Sequence, residues 1–334
     1  MMRHALLSWL MHQLASVRGM RPTALVTGAT DGIGLTTAKN LAAKGYAVLL
    51  HGRNESRLSG AEKHIHEWYE ERWSTSEKAE LYRLPAADLS TVQGSRKLAQ
   101  DTIKFFSAAQ HQSLQLKVLM NNAGVYSEER IISDDGTEST FAVNVVAPFV
   151  ITSLLLPHML PKSNNDEKES RIVTASSISQ CSHVRDWGDL GYLKRPYSAH
   201  AAYSESKLLD AMLTIELSSR LEAVGLAPQT ITCNCLDPGT VNTKMLLAGW
   251  GPIGIDVEDA LDQTWLCSSP EVKGATGNYY TYQHERRPAR SAYNLAERQR
   301  LWDILSQLAP DAAAVWTFDW LSMSATKSTP NSLE

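Results

Sequence analysis

Cysteine is scarce in this chain: four residues in 334, at Cys181, Cys233, Cys235 and Cys267. None joins another in a CxxC pair or a His/Cys array at metal-ligand spacing. Buried thiols in a reducing compartment are therefore expected, rather than a disulfide scaffold or a zinc site. Cys233 and Cys235 lie two apart in an alternating segment, so both point to one face of a strand. Basic charge is not in excess either. Lys and Arg number 32 against 36 Asp and Glu, a formal charge of -4, which argues against a general nucleic-acid binder with its positive stripe. No stretch reaches the roughly 18 to 20 apolar residues that crossing a bilayer requires. What is present, 43% hydrophobic and 20% charged residues, is the composition of an ordinary globular protein. The length sits near the upper end of one α/β domain.

Compact apolar runs alternate with helical periodicity along the chain. The run 23–27 stops at Gly28, and Gly32 and Gly34 follow. Leu35, Ala38, Leu41 and Ala42 then recur at helical spacing until Gly45, and a second apolar run, 47–50, ends at His51, Gly52 and Arg53. Strand, glycine turn, helix, strand is the opening unit of a dinucleotide-binding sheet. Further strands are predicted at 81–84, 116–120, 171–175, 230–236 and 277–282, and helices at 55–75, 91–111, 134–159, 201–224 and 256–267. This alternation predicts an α/β fold: a doubly wound parallel sheet in three Rossmann-like α/β/α layers, with ligands bound past the carboxyl ends of the strands.

Residues 27–34 read TGATDGIG. Gly28 lets the turn form, Gly32 keeps side chains away from a pyrophosphate, and Gly34 lets the helix lie close to the sheet; the helix N-terminus then offers amide hydrogens to phosphate. An NAD site usually carries Asp or Glu at the end of the second strand to hold the ribose 2′-hydroxyl. Here Gly52 leaves room for a 2′-phosphate and Arg53 can grip it, which favours NADP(H) over NAD(H), with the charge of Asp31 a mild argument against. Asp88 follows a strand and either accepts from an adenine amine or caps the helix starting near Thr91. In LMNNAG, the amides of Asn121 and Asn122 either tie neighbouring loops together or face the cofactor ribose, and Gly124 opens a loop.

Tyr203 and Lys207 stand four apart on one helical face of AAYSESKLLDAML. A phenol is a poor acid and base at neutral pH, and a nearby ammonium brings proton transfer within reach. Ser176 and Ser177 end the strand RIVTASS, where a hydroxyl can hold a substrate oxygen or cap a helix. Asn144, in the apolar stretch FAVNVVAPF, is either part of a proton relay or a satisfied core group.

TGATDGIG, NNAG, Asn144, Ser177, YSESK and LDPGTVNT occur in this order, and the chain from about residue 22 to 290 resembles the classical short-chain dehydrogenase/reductase family. The resemblance implies a seven-stranded Rossmann-like domain, transfer of a hydride between nicotinamide and a carbonyl or alcohol carbon, and a catalytic tetrad of Asn144, Ser177, Tyr203 and Lys207. It places the cofactor against Gly28, Thr30, Asp31, Gly32, Ile33 and Gly34, against Arg53, Asp88 and Leu89, and against Asn122, Ala123 and Gly124. Tyr203, Lys207, Pro238, Gly239, Val241 and Thr243 complete that set. Ser177 and Tyr203 are farther apart than in many members. The longer insert, the ERRP segment and the terminal extension look like the branch of retinol dehydrogenases and related carbonyl reductases, which often handles lipophilic retinoids, steroids or other apolar ketones and aldehydes. The implied partner is a small molecule, with a homodimer or homotetramer through the helices of Asn144 and Tyr203, where Leu208, Leu209, Met212 and Leu213 form an apolar face. Core packing explains that face equally.

The alternative is a protein that binds the nucleotide as a sensor or structural element without turnover. The aromatic stretch 178–202, with Trp187, Leu190, Tyr192, Leu193 and Tyr197, is either a substrate wall or packing at the domain edge, and MLLAGWGPIGI after Thr243 reads as a lid. Residues 1–20 form an amphipathic extension with arginines and no acid, residues 21–308 a single dinucleotide-binding and catalytic domain, and residues 309–334 a C-terminal extension whose first half packs and whose end frays. The expected residence is cytoplasmic, with membrane-surface contact or organelle targeting through residues 1–20 as the alternatives.

Overall fold

The computed structural model describes residues 20–73, 78–161, 169–319 and 321. Residues 1–19 of the expected amphipathic extension and the expected fraying tail lie outside these residues. Among them, β1 (Arg21–Val26), β2 (Ala47–Leu50), β3 (Leu81–Arg83), β4 (Leu114–Asn121), β5 (Ser170–Ala175), β6 (Ile231–Asp237), β7 (Tyr279–Thr281) and β8 (His284–Arg286) form one sheet in the order β3-β2-β1-β4-β5-β6-β7-β8. The first seven run parallel, and β8 pairs antiparallel with β7. The order turns back beside β1, which opens a crevice at the carboxyl ends of β1 and β4.

Interleaved with the strands are α1 (Gly32–Ala43), α2 (Glu55–Trp73), α3 (Val92–Ser107), α4 (Ser139–Met159), α5 (Ala199–Ala223), α6 (Lys244–Gly249), α7 (Asp262–Ser268), α8 (Leu295–Leu308) and α9 (Pro310–Ala314). Successive strand side chains leave opposite faces, so both cores take residues from each central strand. Leu25, Leu49 and Leu119 join α3, α4, α5 and α8 in one cluster. Ala24, Val26, Val48, Leu50 and Met120 join α1, α2 and α7 in the other. That is the three-layer α/β/α arrangement.

The eighth strand departs from the expected seven. Its hairpin turn places Tyr282 (φ 51°) and Gln283 (φ 62°) in the left-handed region, so the Gly or Asn that announces such a turn is absent from the sequence. The helix expected from residue 134 begins at Ser139 because Glu138 accepts hydrogen bonds from the amides of Thr140 and Phe141 at 2.9 Å each, an N-terminal cap. α4 is also long and apolar enough to cross a membrane, contrary to the expectation of no such stretch, but 94% of its apolar window is buried inside the fold. Polar residues, Asn144, Thr152 and Ser153, break its apolar run without exposing it. The four residues offered as a subunit face, Leu208, Leu209, Met212 and Leu213, are all buried within the protomer. They are core.

α8 and α9, not read from the sequence, close the α4–α5 face. Trp302 of α8 packs edge-on against Phe149 at 5.3 Å and Trp316 at 5.4 Å, and the indole of Trp316 donates to Ser153 Oγ at 2.7 Å. Truncating a buried tryptophan costs about 3–5 kcal/mol, enough to fix residues 310–317 to the domain.

Candidate active site

The turn after β1 puts Gly28 at φ 67° and Gly32 at φ 55°, a region where other L residues are strained. Gly34 has a different reason to be glycine. A Cβ there would stand 2.3 Å from the carbonyl oxygen of Gly28 and 2.3 Å from Asn122 Nδ2, so the start of α1 lies directly against the turn. Asn122 locks that contact. Its amide donates to Thr27 O (2.8 Å) and Gly28 O (3.3 Å) and accepts from Gln263 (3.0 Å), which in turn accepts from Thr37 (2.9 Å). Asn121 donates to Thr152 (3.1 Å). Asn122 thus ties the turn after β1 to the end of β4 and to α7 while it borders the cleft, and Asn121 ties β4 to α4.

His51 completes the cradle from β2. The Gly28 amide donates to Nδ1 (3.3 Å) and Nε2 meets Ala87 O (3.0 Å), which makes the ring neutral with its proton on Nε2. Burial pushes its pKa down to about 4. Beyond it, no carboxylate stands at the end of β2; Arg53, Asn54 and Arg57 border the cleft instead. Gly52 borders the cleft, and a Cβ there would fall 2.5 Å from the methyl of Thr30, so its absence also lets that side chain pack. Asp31 caps α1 by accepting from the Gly32 amide (2.9 Å) and pairs with Lys244. Burial raises its carboxyl pKa, but Lys244 and the Gly32 bond outweigh that and hold it below the usual range. Its charge, expected to oppose a phosphate, is thus offset by a residue far along the chain. Asp88 accepts from Ser90 N (3.0 Å), and the cap of α3 is Thr91, whose hydroxyl accepts from Gly94 N (2.9 Å). Capping is therefore not the role of Asp88.

All the residues expected to contact cofactor border one cleft of about 410 Å³, together with Ser177. Asn144 stands behind it. α4 makes a π-helical turn over Ala142–Val146, and there the Asn144 amide accepts from Val125 N (2.8 Å) and donates to Val125 O (3.1 Å) and Ser206 Oγ (2.9 Å). Both of its amide hydrogens are thereby used to fix the loop after β4 against α5.

At the far end of the cleft, α5 presents Tyr203 and Lys207. Lys207 Nζ lies 5.6 Å from the Tyr203 ring centre and donates to Ala175 O (2.7 Å) and Asp210 Oδ2 (2.9 Å). Burial raises the pKa of the Tyr203 phenol, while Lys207 and the Ser177 hydroxyl lower it, and the balance is upward. The two serines divide: Ser176 Oγ donates to Lys207 O (2.7 Å), whereas Ser177 Oγ accepts from Ser179 N (3.1 Å) and keeps its own proton to donate. A phenol, an ammonium and a hydroxyl on one side of a cleft, facing a glycine cradle, can bind an oxygen and exchange a proton with it.

The mouth is aromatic, but of the stretch the sequence offered only His200 joins it. Tyr192 is buried with Arg195 stacked over it at 3.8 Å, and Tyr197 donates to Ser127 O (2.9 Å). Of residues 178–202, only Ile178 and Ser179 border the cleft. Its aromatic residues Trp187, Tyr192 and Tyr197 pack at the edge, while His200 lies against the cover over Tyr203. The cover over Tyr203 is Trp250, at 5.6 Å, and Tyr126, at 5.9 Å, with His200 against both. Each such ring pair contributes about 0.5–1.5 kcal/mol, and α6 buries none of its residues, so this cover can open. Tyr126 and His200 carried no motif and were missed. Met245, Leu246, Trp250 and Ile253 of the expected lid do border the cleft. Lys244 and Gln263 were also missed, because their partners Asp31 and Asn122 lie far away in sequence, where no spacing rule reaches, and so was Arg57, whose amide donates to Asn54 and which carried no motif.

A family model described as short chain dehydrogenase matches residues 22–248. The chain is similar to polyprenol dehydrogenase of Mus musculus, 32% identical over 291 residues, covering 84% of this chain and 81% of that protein. It is similar also to retinol dehydrogenase 13 of Mus musculus, 30% identical over 308 residues, covering 87% and 85%. A solved structure from Escherichia coli CFT073, assigned to the short chain dehydrogenases and complexed with NADPH, is 25% identical with a TM-score of 0.55, covering 80% of this chain and 98% of that one.

Proposed function

The chain belongs to the short-chain dehydrogenase family and is an oxidoreductase of CH–OH and C=O groups, and we propose that it uses NADP(H) on a lipophilic alcohol or carbonyl compound. The residues present fit that cofactor. The glycine turn borders the cleft without a side chain, and Arg53 after β2 and Arg57 in the first turn of α2 supply the charge a 2′-phosphate needs. The similar Escherichia coli structure carries NADPH.

When bound, the cofactor supplies or takes up the hydride equivalent that changes the oxidation state of the substrate carbon. The rest falls to the side chains. In reduction, Ser177 donates a hydrogen bond to the carbonyl oxygen and Tyr203 transfers its phenolic proton to it, leaving a phenolate that the Lys207 ammonium stabilises. Asn144 holds the Val125 loop so that these groups keep their spacing. Oxidation runs the proton the other way, from substrate hydroxyl to phenolate. Because burial raises the Tyr203 pKa above the phenol's ordinary value, the protonated form persists through neutral pH; reduction holds there and falls only as pH rises through that pKa, while oxidation climbs.

The observation that carries the substrate class is the cover over Tyr203: Trp250, Tyr126, Ile178, Leu246 and Ile253 make the substrate side apolar, while the charged side chains gather at the cofactor end. Polyprenol and retinol, in the names of the similar proteins, are alcohols of that kind. The test is NADPH oxidation by the purified protein over carbonyls from small quinones to steroids and retinal, with Tyr203→Phe as control. Turnover concentrated on the long apolar substrates, lost about 10²–10⁴-fold in Tyr203→Phe, is expected. Turnover confined to small quinones overturns the substrate class, and NADPH binding without turnover favours the sensor reading.

A further inference from the structure

α5 carries a third ionisable group on the face that holds Tyr203 and Lys207. Asp210 follows Lys207 by three positions and Tyr203 by seven, so all three line one side of the helix. Asp210 is fully buried. Its Oδ2 lies 2.9 Å from Lys207 Nζ, and its Oδ1 has no hydrogen-bond partner among the described residues. An unsatisfied carboxylate oxygen in a core is costly, and packing gives no reason for it: Leu208, Leu209 and Met212 around it in sequence are ordinary core residues.

We propose that Asp210 is a positioning residue that sets the pH at which Tyr203 exchanges its proton, by opposing the field of the Lys207 ammonium at the phenol. This rests on Tyr203 and Lys207 being the proton-transfer pair. Two of the three Lys207 hydrogens go to Ala175 O and Asp210, so the ammonium is anchored behind the phenol, with a counter-charge at its back. With Asp210 ionised, Tyr203 faces a neutral ion pair. With Asp210 protonated, it faces a bare cation, and the phenolate becomes easier to form. Burial, partly offset by Lys207, brings the Asp210 pKa up to about 7, so both states are accessible near neutrality. Tyr203 itself is raised by burial and by Asp210 and Asp237, and lowered by Lys207.

The other groups that face the trio do not replace this control. From β6 come Cys235, raised by burial to about 12, and Asp237, raised by burial and bonded to the amides of Ile178 and Gly239. Behind Cys235 stand Tyr279 of β7, raised by burial, and Tyr293 of the 290–293 turn, also raised by burial. β5 contributes the carbonyl of Ala175, the π turn of α4 the uncharged Asn144, and α8 contributes Arg298, which pairs with Glu216 one turn or more farther along α5.

Asp210→Asn removes the charge and keeps the shape. In that variant the pH profile of kcat/KM for alcohol oxidation is expected to move about one unit toward acid, a roughly tenfold gain below the phenol's titration, while Asp210→Glu keeps the wild-type profile. Tyrosinate ultraviolet absorbance, taken as each full-length protein minus its Tyr203→Phe version without cofactor, should show the same acid shift. That readout needs no turnover, so it separates this proposal from the catalytic assignment: an unaffected activity in Tyr203→Phe sinks the assignment, whereas an unshifted tyrosinate titration in Asp210→Asn sinks the role of Asp210. Asp210→Ser serves by the same criterion if the Asn variant does not fold. Failure of both neutral variants to fold while Asp210→Glu folds makes the carboxylate structural and overturns the proposal.

Discussion

The two halves of the cleft are built by different means. The cofactor half, from Gly28 to Gly124, is held by backbone: a carbonyl 2.3 Å from where a Gly34 side chain would begin, and an Asn122 amide bonded to two successive carbonyls. The substrate half is held by rings and loose apolar side chains, with Ile178 71% and Ile253 67% exposed and α6 burying nothing. Backbone geometry tolerates no substitution at its contact points, because backbone atoms cannot rotate away. A ring cover admits exchange and movement. The cleft is thus fixed along the glycine turn and adjustable under the aromatic cover.

The largest expected effect breaks the rigid half. Gly34→Ala puts a methyl against the Gly28 carbonyl, and we expect a loss of about 3 kcal/mol of stability together with loss of NADPH binding, read by thermal unfolding and by NADPH fluorescence. Unchanged binding would mean that the turn is softer than its contacts imply. Next comes Arg53→Ala, which leaves the backbone cradle alone and removes only charge. Affinity for NADPH should fall about 10- to 100-fold, since one charge-assisted hydrogen bond is worth about 1.5–3 kcal/mol, with NADH barely affected. Equal losses for both would place Arg53 outside 2′-phosphate recognition. The smallest effect belongs to the adjustable half. Trp250→Ala should raise KM for a long apolar substrate about tenfold, in line with about 1.5 kcal/mol of lost apolar contact, with NADPH affinity unchanged. A shift in NADPH affinity instead would show that the two halves are coupled through α6.

The same contrast governs how far the residues could be read before the fold was known. Gly28, Gly32 and Gly34 are legible because the φ 67° and φ 55° turns and the close helix approach are local demands met by local residues. Tyr203 and Lys207 are legible because four residues on a helix fix one face. Asp210 obeys the same spacing and was passed over, since a carboxylate inside LLDAML reads as surface until its burial is known. The aromatic stretch 178–202 was ambiguous for the opposite reason: Tyr192 and Tyr197 are as apolar as a substrate wall, and only their bonds to Arg195 and Ser127 assign them to the edge.

By itself, then, the order of runs and turns determined the seven parallel strands, their layers and the glycine turn that borders the cleft, because alternation, helical period and glycine placement act over a few residues. Tertiary structure alone decided that α4 is a core helix, that Leu208 to Leu213 are interior, that Lys244 offsets Asp31, and that Trp250 and Tyr126 cover Tyr203. Those outcomes depend on which distant surfaces meet, and burial and charge pairing act only once they have met.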